Sequence, residues 1–109
     1  MNVVHDDSVW KALADPTRRQ ILDVLMDAPI TTGEIVEQFS PRLVRTAVMK
    51  HLDVLESTGL VRVERKGRNR LNHFERAPLK EISAWLNRRI STHKSNLTRL
   101  QQLAEKKSS

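Results

Sequence analysis

The spacing of apolar and polar residues predicts four short helices in the first half of the chain. Apolar residues recur at steps of three or four, as in helices with one buried face, within residues 8–14, 16–26, 32–39 and 44–56. Asp15 and Pro16 provide an N-cap and a first-turn proline for the second helix. Thr31 and Glu34 form a capping-box pattern before the third helix, and Gly59 is suited to end the fourth.

The second half of the chain predicts a β-hairpin followed by one long helix. Near-alternation with β-branched residues in 60–65 and the pattern of 71–74 predict two antiparallel strands, joined by a turn at 66–69. From Pro78 onward, apolar residues recur at helical spacing over about 27 residues, or about 40 Å of helix. Four helices, two strands and a long helix make a mainly α fold with a small β-hairpin, which is the plan of a winged helix-turn-helix.

Composition narrows the class of protein. Hydrophobic residues make up 39% and charged residues 29% of the 109 residues, as in a folded globular domain. Because cysteine is absent, the chain has no disulfide, thiolate nucleophile or cysteine-ligated metal. No apolar run is long enough to span a membrane and the first residues do not resemble a secretory signal, so we expect a cytoplasmic protein.

The distribution of charge indicates a surface that contacts a polyanion such as double-stranded DNA; from charge alone, a solvated basic surface without a partner is the alternative. Residues 1–40 carry three basic and seven acidic side chains, whereas the remainder of the chain is strongly basic and brings the net charge to +6. The hairpin is the most basic segment, since Glu64 is the single acid among five basic side chains in residues 62–70. A basic hairpin tip can lie along the phosphate backbone or enter the minor groove, where the potential is most negative.

Two motifs resemble those of the ArsR-type transcriptional regulators. The first runs from Ala12 to Arg19 and continues with Ile21-Leu22; the second runs from Thr46 to Glu56 and is followed by Gly59-Leu60-Val61, with Gly67-Arg68 at the family's wing glycine. The form Met49-Lys50-His51-Leu52 resembles the branch that usually lacks metal sites. The resemblance covers about residues 9–86 and implies a homodimer that binds a pseudo-palindromic operator, usually as a repressor.

The resemblance places the recognition helix at about Val44 to Glu56. We expect Arg45 to contact a guanine edge and Thr46 to contact a phosphate or a thymine methyl group. Arg42, in the preceding turn, is expected to contact phosphate. For His51, packing against the turn, a phosphate contact and base recognition all remain open. The complete set of expected DNA-binding residues is Arg42, Arg45, Thr46, Met49, Lys50, His51, Arg65, Lys66, Arg68, Asn69 and Arg70.

Two departures from the family pattern concern the recognition helix and the wing. Val44 stands where relatives usually have Ser or Thr, which removes an N-cap and a potential phosphate ligand. Ser40 is a candidate substitute cap one turn earlier, which would lengthen the helix. His73 stands where the family often has Tyr, so we expect different packing under the wing.

Metal sensing is not expected, and no cofactor is predicted. His5, His51, His73 and His93 lie on separate elements, whereas a zinc site needs about four ligands in a tetrahedral arrangement. His93 lies on the apolar stripe of the last helix, where we expect it to be packed or at an interface. A protonation switch at His93 is the alternative, because imidazole titrates near neutrality.

A homodimer is expected because the long last helix exceeds what the preceding residues can cover. We divide the chain into a DNA-binding domain, 1–77, and a dimerisation helix with a short basic tail, 78–109. No catalytic constellation or inducer is evident, and the alternative function is a protein-interaction module that uses the long helix. The expected interface residues, on the first and last helices, are Val9, Trp10, Leu13, Ile82, Leu86, Ile90, His93, Leu97 and Leu100.

Overall fold

The computed structural model describes residues 7–108, except for the side chains of residues 92–100 and 104–108. Within these described residues, five helices and three strands follow one another. They are α1 (Asp7–Ala14), α2 (Pro16–Leu25), β1 (Ile30–Thr31), α3 (Thr32–Phe39), α4 (Arg45–Ser57), β2 (Val61–Lys66), β3 (Asn69–Phe74) and α5 (Ala77–Ser108). The chain divides after Pro78 into two compact units, so that the second unit consists of the remainder of α5.

The first unit is a winged helix-turn-helix, as the sequence predicts. Its core is formed by α1–α4 together with the first residues that follow α4. The buried apolar residues are Val9, Ala12, Ile21, Leu22, Leu25, Ile35, Phe39, Val48, Leu52, Leu55, Leu60 and Val61.

The sheet has three antiparallel strands in the order β1-β3-β2, one more than the sequence predicts. The additional strand β1 pairs Ile30 with Asn72 and Thr31 with Leu71. Asn72 is only 1% exposed, and its Nδ2 donates to the Ile30 carbonyl (3.2 Å) and to Thr32 Oγ1 (3.0 Å). A buried amide therefore joins the wing strand β3 to the start of α3.

The motif around α2 joins that helix to the end of α1. The Asp15 carboxylate accepts hydrogen bonds from the backbone N–H groups of Thr17 (2.8 Å) and Arg18 (3.2 Å), which confirms the predicted N-cap. Arg18 donates from Nε to the Ala12 carbonyl (2.9 Å), and Arg19 donates from Nη1 to the Leu13 carbonyl (2.6 Å). Two cations thus satisfy the last carbonyls of α1 and oppose its dipole.

The N-cap of α2 makes a pH-dependent contribution to stability. Partial desolvation raises the pKa of Asp15, but hydrogen bonds from Arg18 and Thr17 outweigh it and leave this pKa below its ordinary value of 3.8. The stabilisation is therefore present above that value and is lost as the pH falls through the lower folded-state pKa. We expect Asp15→Ala to lower the free energy of unfolding by about 1 kcal/mol at neutral pH and by much less near pH 2.

Urea denaturation of both proteins at several pH values measures this difference. Asp27→Ala is the matched control, because Asp27 is an exposed acid that follows α2. A deficit for Asp15→Ala that stays constant down to pH 2 would show that the carboxylate's charge contributes nothing to the cap.

The recognition helix α4 has a defined end. Gly59 has a φ of +80°, in the left-handed region that favours glycine. The N–H of Gly59 donates to the Glu56 carbonyl and that of Leu60 to the Leu55 carbonyl, both at 3.0 Å. This pair of bonds is a Schellman motif, and buried Leu55 and Leu60 provide its apolar contact. The predicted role of Gly59 is confirmed.

The second unit contains most of α5, which has 32 residues and is about 48 Å long. It starts at Ala77, one residue before the predicted Pro78, and its 32 residues exceed the expected length of about 27. Trp85, Leu86 and Ile90 are exposed on it, whereas Ile82 is half-buried. The side chains of His93, Leu97 and Leu100 lie outside the described residues. No helix in the described part of the chain has the length and apolarity needed to cross a membrane.

Candidate nucleic-acid interface

The exposed face of α4 presents the residues expected to enter the major groove. Val48, Leu52 and Leu55 bury one face of this helix, so residues on the opposite side point away from the core. Thr46 and Lys50, four residues apart, are both exposed. Arg45 and Met49 form a neighbouring row in which Arg45 is exposed and Met49 is half-buried. Asp53 is also exposed three residues after Lys50, so the basic face ends in its second half.

The start of α4 lacks a side-chain cap, as the sequence predicts. Val44 is the N-cap residue, with extended backbone (φ −84°, ψ 162°), and no side-chain hydrogen bond satisfies the first amides of the helix. Relative to a hydroxyl-bearing residue, this costs the helix about 1 kcal/mol. The proposed substitute cap is wrong: Ser40 is the C-cap residue of α3, and α4 begins only at Arg45, one residue later than expected. The intervening residues form the turn between the two helices.

The wing presents four exposed polar residues near its tip. Lys66 and Asn69 pair with each other, which leaves Gly67-Arg68 as a two-residue turn, shorter than the expected 66–69. Gly67 has a φ of +61°, as such turns require. Arg65, Lys66, Arg68 and Asn69 are exposed.

Arg70, by contrast, is held against the body of the protein. Its Nη2 lies 3.9 Å from Glu56 Oε1, at the far end of α4, and its side chain is 26% exposed. Its Nε is buried and has no hydrogen-bond partner among the described residues. The arginine therefore joins the wing to the recognition helix and is less available to a ligand than the other basic residues of the wing.

A cleft of about 200 Å³ lies between the wing tip and the starts of α3 and α4. It brings together two sets of expected DNA-binding residues, since Arg45 of α4 shares it with Arg68 of the wing. The residues at the start of α3 were not predicted to belong to the site, and the capping-box pattern is the sequence signal that marks them. The lining residues are Thr31, Thr32, Gly33, Arg45, Met49, Arg68, Asn69 and Arg70.

Arg42 lies outside this cleft and has contacts within the protein. Arg42 is exposed, donates from Nη2 to Gln20 Oε1 at 2.7 Å, and its guanidinium lies 5.4 Å from the centre of the Phe39 ring.

His51 is half-buried on α4, and its Nδ1 lies 3.4 Å from Arg18 Nη1. This contact connects the recognition helix to Arg18, the arginine that donates a hydrogen bond to the Ala12 carbonyl near the end of α1. His51 therefore has a contact with α2, and the three roles left open for it stay predictions.

The base of the wing carries a histidine–glutamate pair. His73 Nε2 lies 2.8 Å from Glu64 Oε1, and Arg62 on β2 pairs with Glu75 at 2.8 Å. The hydrogen bond with His73 lowers the pKa of the Glu64 carboxyl group, although slight burial opposes it. His73 thus makes a polar contact across the strands at the position where the family often has Tyr.

Within the described residues, no three His, Asp or Glu side chains lie together in a way that could hold a metal ion. His5 and the side chain of His93 are outside the described residues.

Comparison with known proteins agrees with this geometry. A family model described as a helix-turn-helix domain matches residues 13–64. An uncharacterised HTH-type transcriptional regulator, YuzN of Bacillus subtilis, is 40% identical over 86 residues, which cover 73% of this chain and 94% of that protein. The transcriptional repressor SdpR of the same organism is 38% identical over 61 residues, covering 56% and 66% of the two chains.

Solved structures show the same architecture. The ArsR family transcriptional regulator RHA00566 superimposes with a TM-score of 0.72 at 34% identity, covering 82% of this chain and 90% of that one. The homodimeric winged helix-turn-helix domain of Mb0332 from Mycobacterium bovis has a TM-score of 0.61 at 27% identity, covering 79% and 78%.

Proposed function

Since this chain belongs to the ArsR family of winged helix-turn-helix DNA-binding transcriptional regulators, we propose that it acts as a repressor that binds a pseudo-palindromic operator as a homodimer. The observation that carries the proposal is the convergence of the exposed start of α4 and the basic wing tip on one cleft, with Arg45 and Arg68 both lining it. An α-helix fits the major groove and a basic hairpin fits the adjacent backbone or minor groove.

We assign base recognition to the first two turns of α4. Arg45 has the fork geometry that matches guanine O6 and N7, and Thr46 can contact a thymine methyl group or a phosphate. Met49 and Lys50 extend this surface by one turn. We assign a phosphate contact to Arg42. To make it, the guanidinium would give up the hydrogen bond that it donates to Gln20. His51 positions the helix through Arg18.

The wing supplies contacts that do not depend on base sequence. Arg65, Lys66, Arg68 and Asn69 are exposed around the turn, where a phosphate backbone can approach them. Arg70 contributes charge to the cleft while it remains joined to Glu56.

The homodimer is proposed to form through α1 and α5. Trp10 is 43% exposed and Leu13 half-buried on α1, while Leu86 and Ile90 are 42% and 50% exposed on α5. The expected interface role of Val9 is wrong, because its side chain is buried in the core of its own unit; Trp10 and Leu13 are the accessible residues among those expected on α1. Trp85, 37% exposed, was not predicted and joins the apolar surface of α5. A solved neighbour described as homodimeric supports the dimer, and the choice of α1 and α5 rests on their exposed apolar residues.

We keep the predicted boundary: residues 1–77 bind DNA and add α1 to the dimer interface, and residues 78–109 form the dimerisation helix with its short tail. A two-fold dimer would place two recognition helices about one DNA turn, or about 34 Å, apart. We propose no catalytic residue and no metal, and we place the protein in the cytoplasm with its DNA.

Selection of duplexes from a random pool by the full-length protein tests this function. We expect enriched sequences with two inverted half-sites whose centres lie one helical turn apart. A protein that enriches no sequence, yet captures a partner through α5, would instead be the protein-interaction module considered above.

The wing tip gives a prediction about salt dependence. Replacing Arg68 by alanine removes one phosphate contact, so affinity should fall by a similar factor on operator and random duplex. The slope of log K against log salt should become shallower by about 0.9. Arg76→Ala removes the same charge beyond the other end of β3 and is the matched control. Unequal losses on the two duplexes would place Arg68 among the base-contacting residues.

A further inference from the structure

Val44 is the most exposed of the large apolar side chains that the structure describes. It is 66% exposed, against 57% for Leu103 and 47% for Met26. It cannot cap α4, and at this exposure it contributes little to the core. Within the part of the chain that the structure describes, its side chain therefore has no evident role in the fold.

The position of Val44 places it beside the base-contacting residues of α4. Val44, Arg45 and Thr46 are consecutive and all exposed. The backbone that precedes them is fixed, because the Leu43 N–H donates to the Phe39 carbonyl at 2.9 Å and Leu43 is half-buried. Since the first residues of a recognition helix contact base edges, Val44 would enter the major groove together with its two neighbours.

The chemistry of the groove limits what a valine can contact there. The base edges in the major groove present hydrogen-bond donors and acceptors, and one apolar group, the C5 methyl group of thymine. A valine side chain cannot form hydrogen bonds with these donors and acceptors. It contributes binding free energy when it is buried against a methyl group. Because its branched Cβ restricts it to few rotamers, it loses little conformational entropy on contact.

We infer that Val44 is a specificity-determining residue that packs against the C5 methyl group of a thymine in each operator half-site. This inference rests on the proposed function and adds a preferred base to it. It also explains why a valine stands where a hydroxyl-bearing residue would cap the helix. The Val44 side chain stabilises the complex with DNA, whereas a cap would stabilise the free helix.

Replacement of thymine by deoxyuridine tests the contact, because deoxyuridine lacks only the C5 methyl group. Each thymine of the selected operator is replaced in turn, symmetrically in both half-sites, and the affinity is measured for the wild type, Val44→Ala and Val54→Ala. Val54, exposed in the second half of α4, is the matched control. Circular dichroism confirms that both variants are folded.

For the wild type and Val54→Ala, we expect a thymine, distinct from any that Thr46 contacts, whose replacement weakens binding about fourfold per half-site, the effect of removing one buried methyl group. Val44→Ala should bind the unmodified operator correspondingly more weakly and be insensitive to that replacement. If Val44→Ala keeps the wild-type profile, or no thymine is sensitive, the inference is wrong although operator binding stands. If no operator is selected at all, the proposed function itself fails.

Discussion

Replacing Arg45 by alanine is expected to weaken binding to the operator about 5- to 150-fold, whereas binding to random duplex should weaken only a few-fold. The range corresponds to the loss of one bidentate arginine–guanine contact. Arg45 is the first residue of α4 and exposed, so its guanidinium can reach a base edge without rearrangement of the core. Fluorescence anisotropy on labelled operator and random duplexes measures both affinities.

Arg68→Ala is the informative comparison, because both arginines line the same cleft. We expect the Arg68 variant to lose affinity equally on the two duplexes and the Arg45 variant to lose it selectively. An Arg45 variant that weakens both duplexes by the same factor would show that Arg45 binds phosphate, and base recognition would then depend on the remaining residues of α4.

The second large effect concerns stability. Replacing Asn72 by alanine should lower the free energy of unfolding by about 2–4 kcal/mol. The substitution removes the two hydrogen bonds that the Asn72 amide donates to Ile30 and Thr32, and it leaves a cavity. The Ile30 carbonyl loses a donor, and Thr32 Oγ1 keeps only a 3.5 Å contact with the Arg70 carbonyl. In a domain of this size the melting temperature should fall by about 10–25 °C.

Thermal denaturation followed by circular dichroism measures this change. Asn69→Ala is the matched control on the same strand, because Asn69 is exposed and its replacement should change stability by less than about 0.5 kcal/mol. If both variants melt at the wild-type temperature, the amide of Asn72 does not hold β1 and α3 to the wing strand.

The elements that the sequence predicts are those determined by local signals. The Asp15 cap, the capping box at Thr31 and Glu34, and the Gly59 termination each depend on a few adjacent residues, and all three occur in the structure. The hairpin is similarly local, since Gly67 and the flanking strands lie within fourteen residues.

What the sequence does not predict depends on contacts between distant residues. Strand β1 has two residues, too few for any periodicity. It forms because Ile30 pairs with Asn72, which lies 42 residues later in the sequence. The partial burial of Arg70 depends on Glu56, and the structural contact of His51 depends on Arg18. The addition of α3 to the cleft has the same origin. The individual residues of the candidate site can therefore be named from the sequence, where they stay predictions, whereas the way its parts meet cannot.

The central claim is that α4 and the wing together form a DNA-binding surface. The most direct test is a titration of the full-length protein with the duplex obtained by selection and with a scrambled duplex of equal length, between about 50 and 200 mM salt. We predict saturable binding that is at least about 10³-fold tighter on the selected duplex, and a loss of affinity on both duplexes as salt increases. Equal affinity for the two duplexes, or no binding at the lowest salt concentration, would contradict the account.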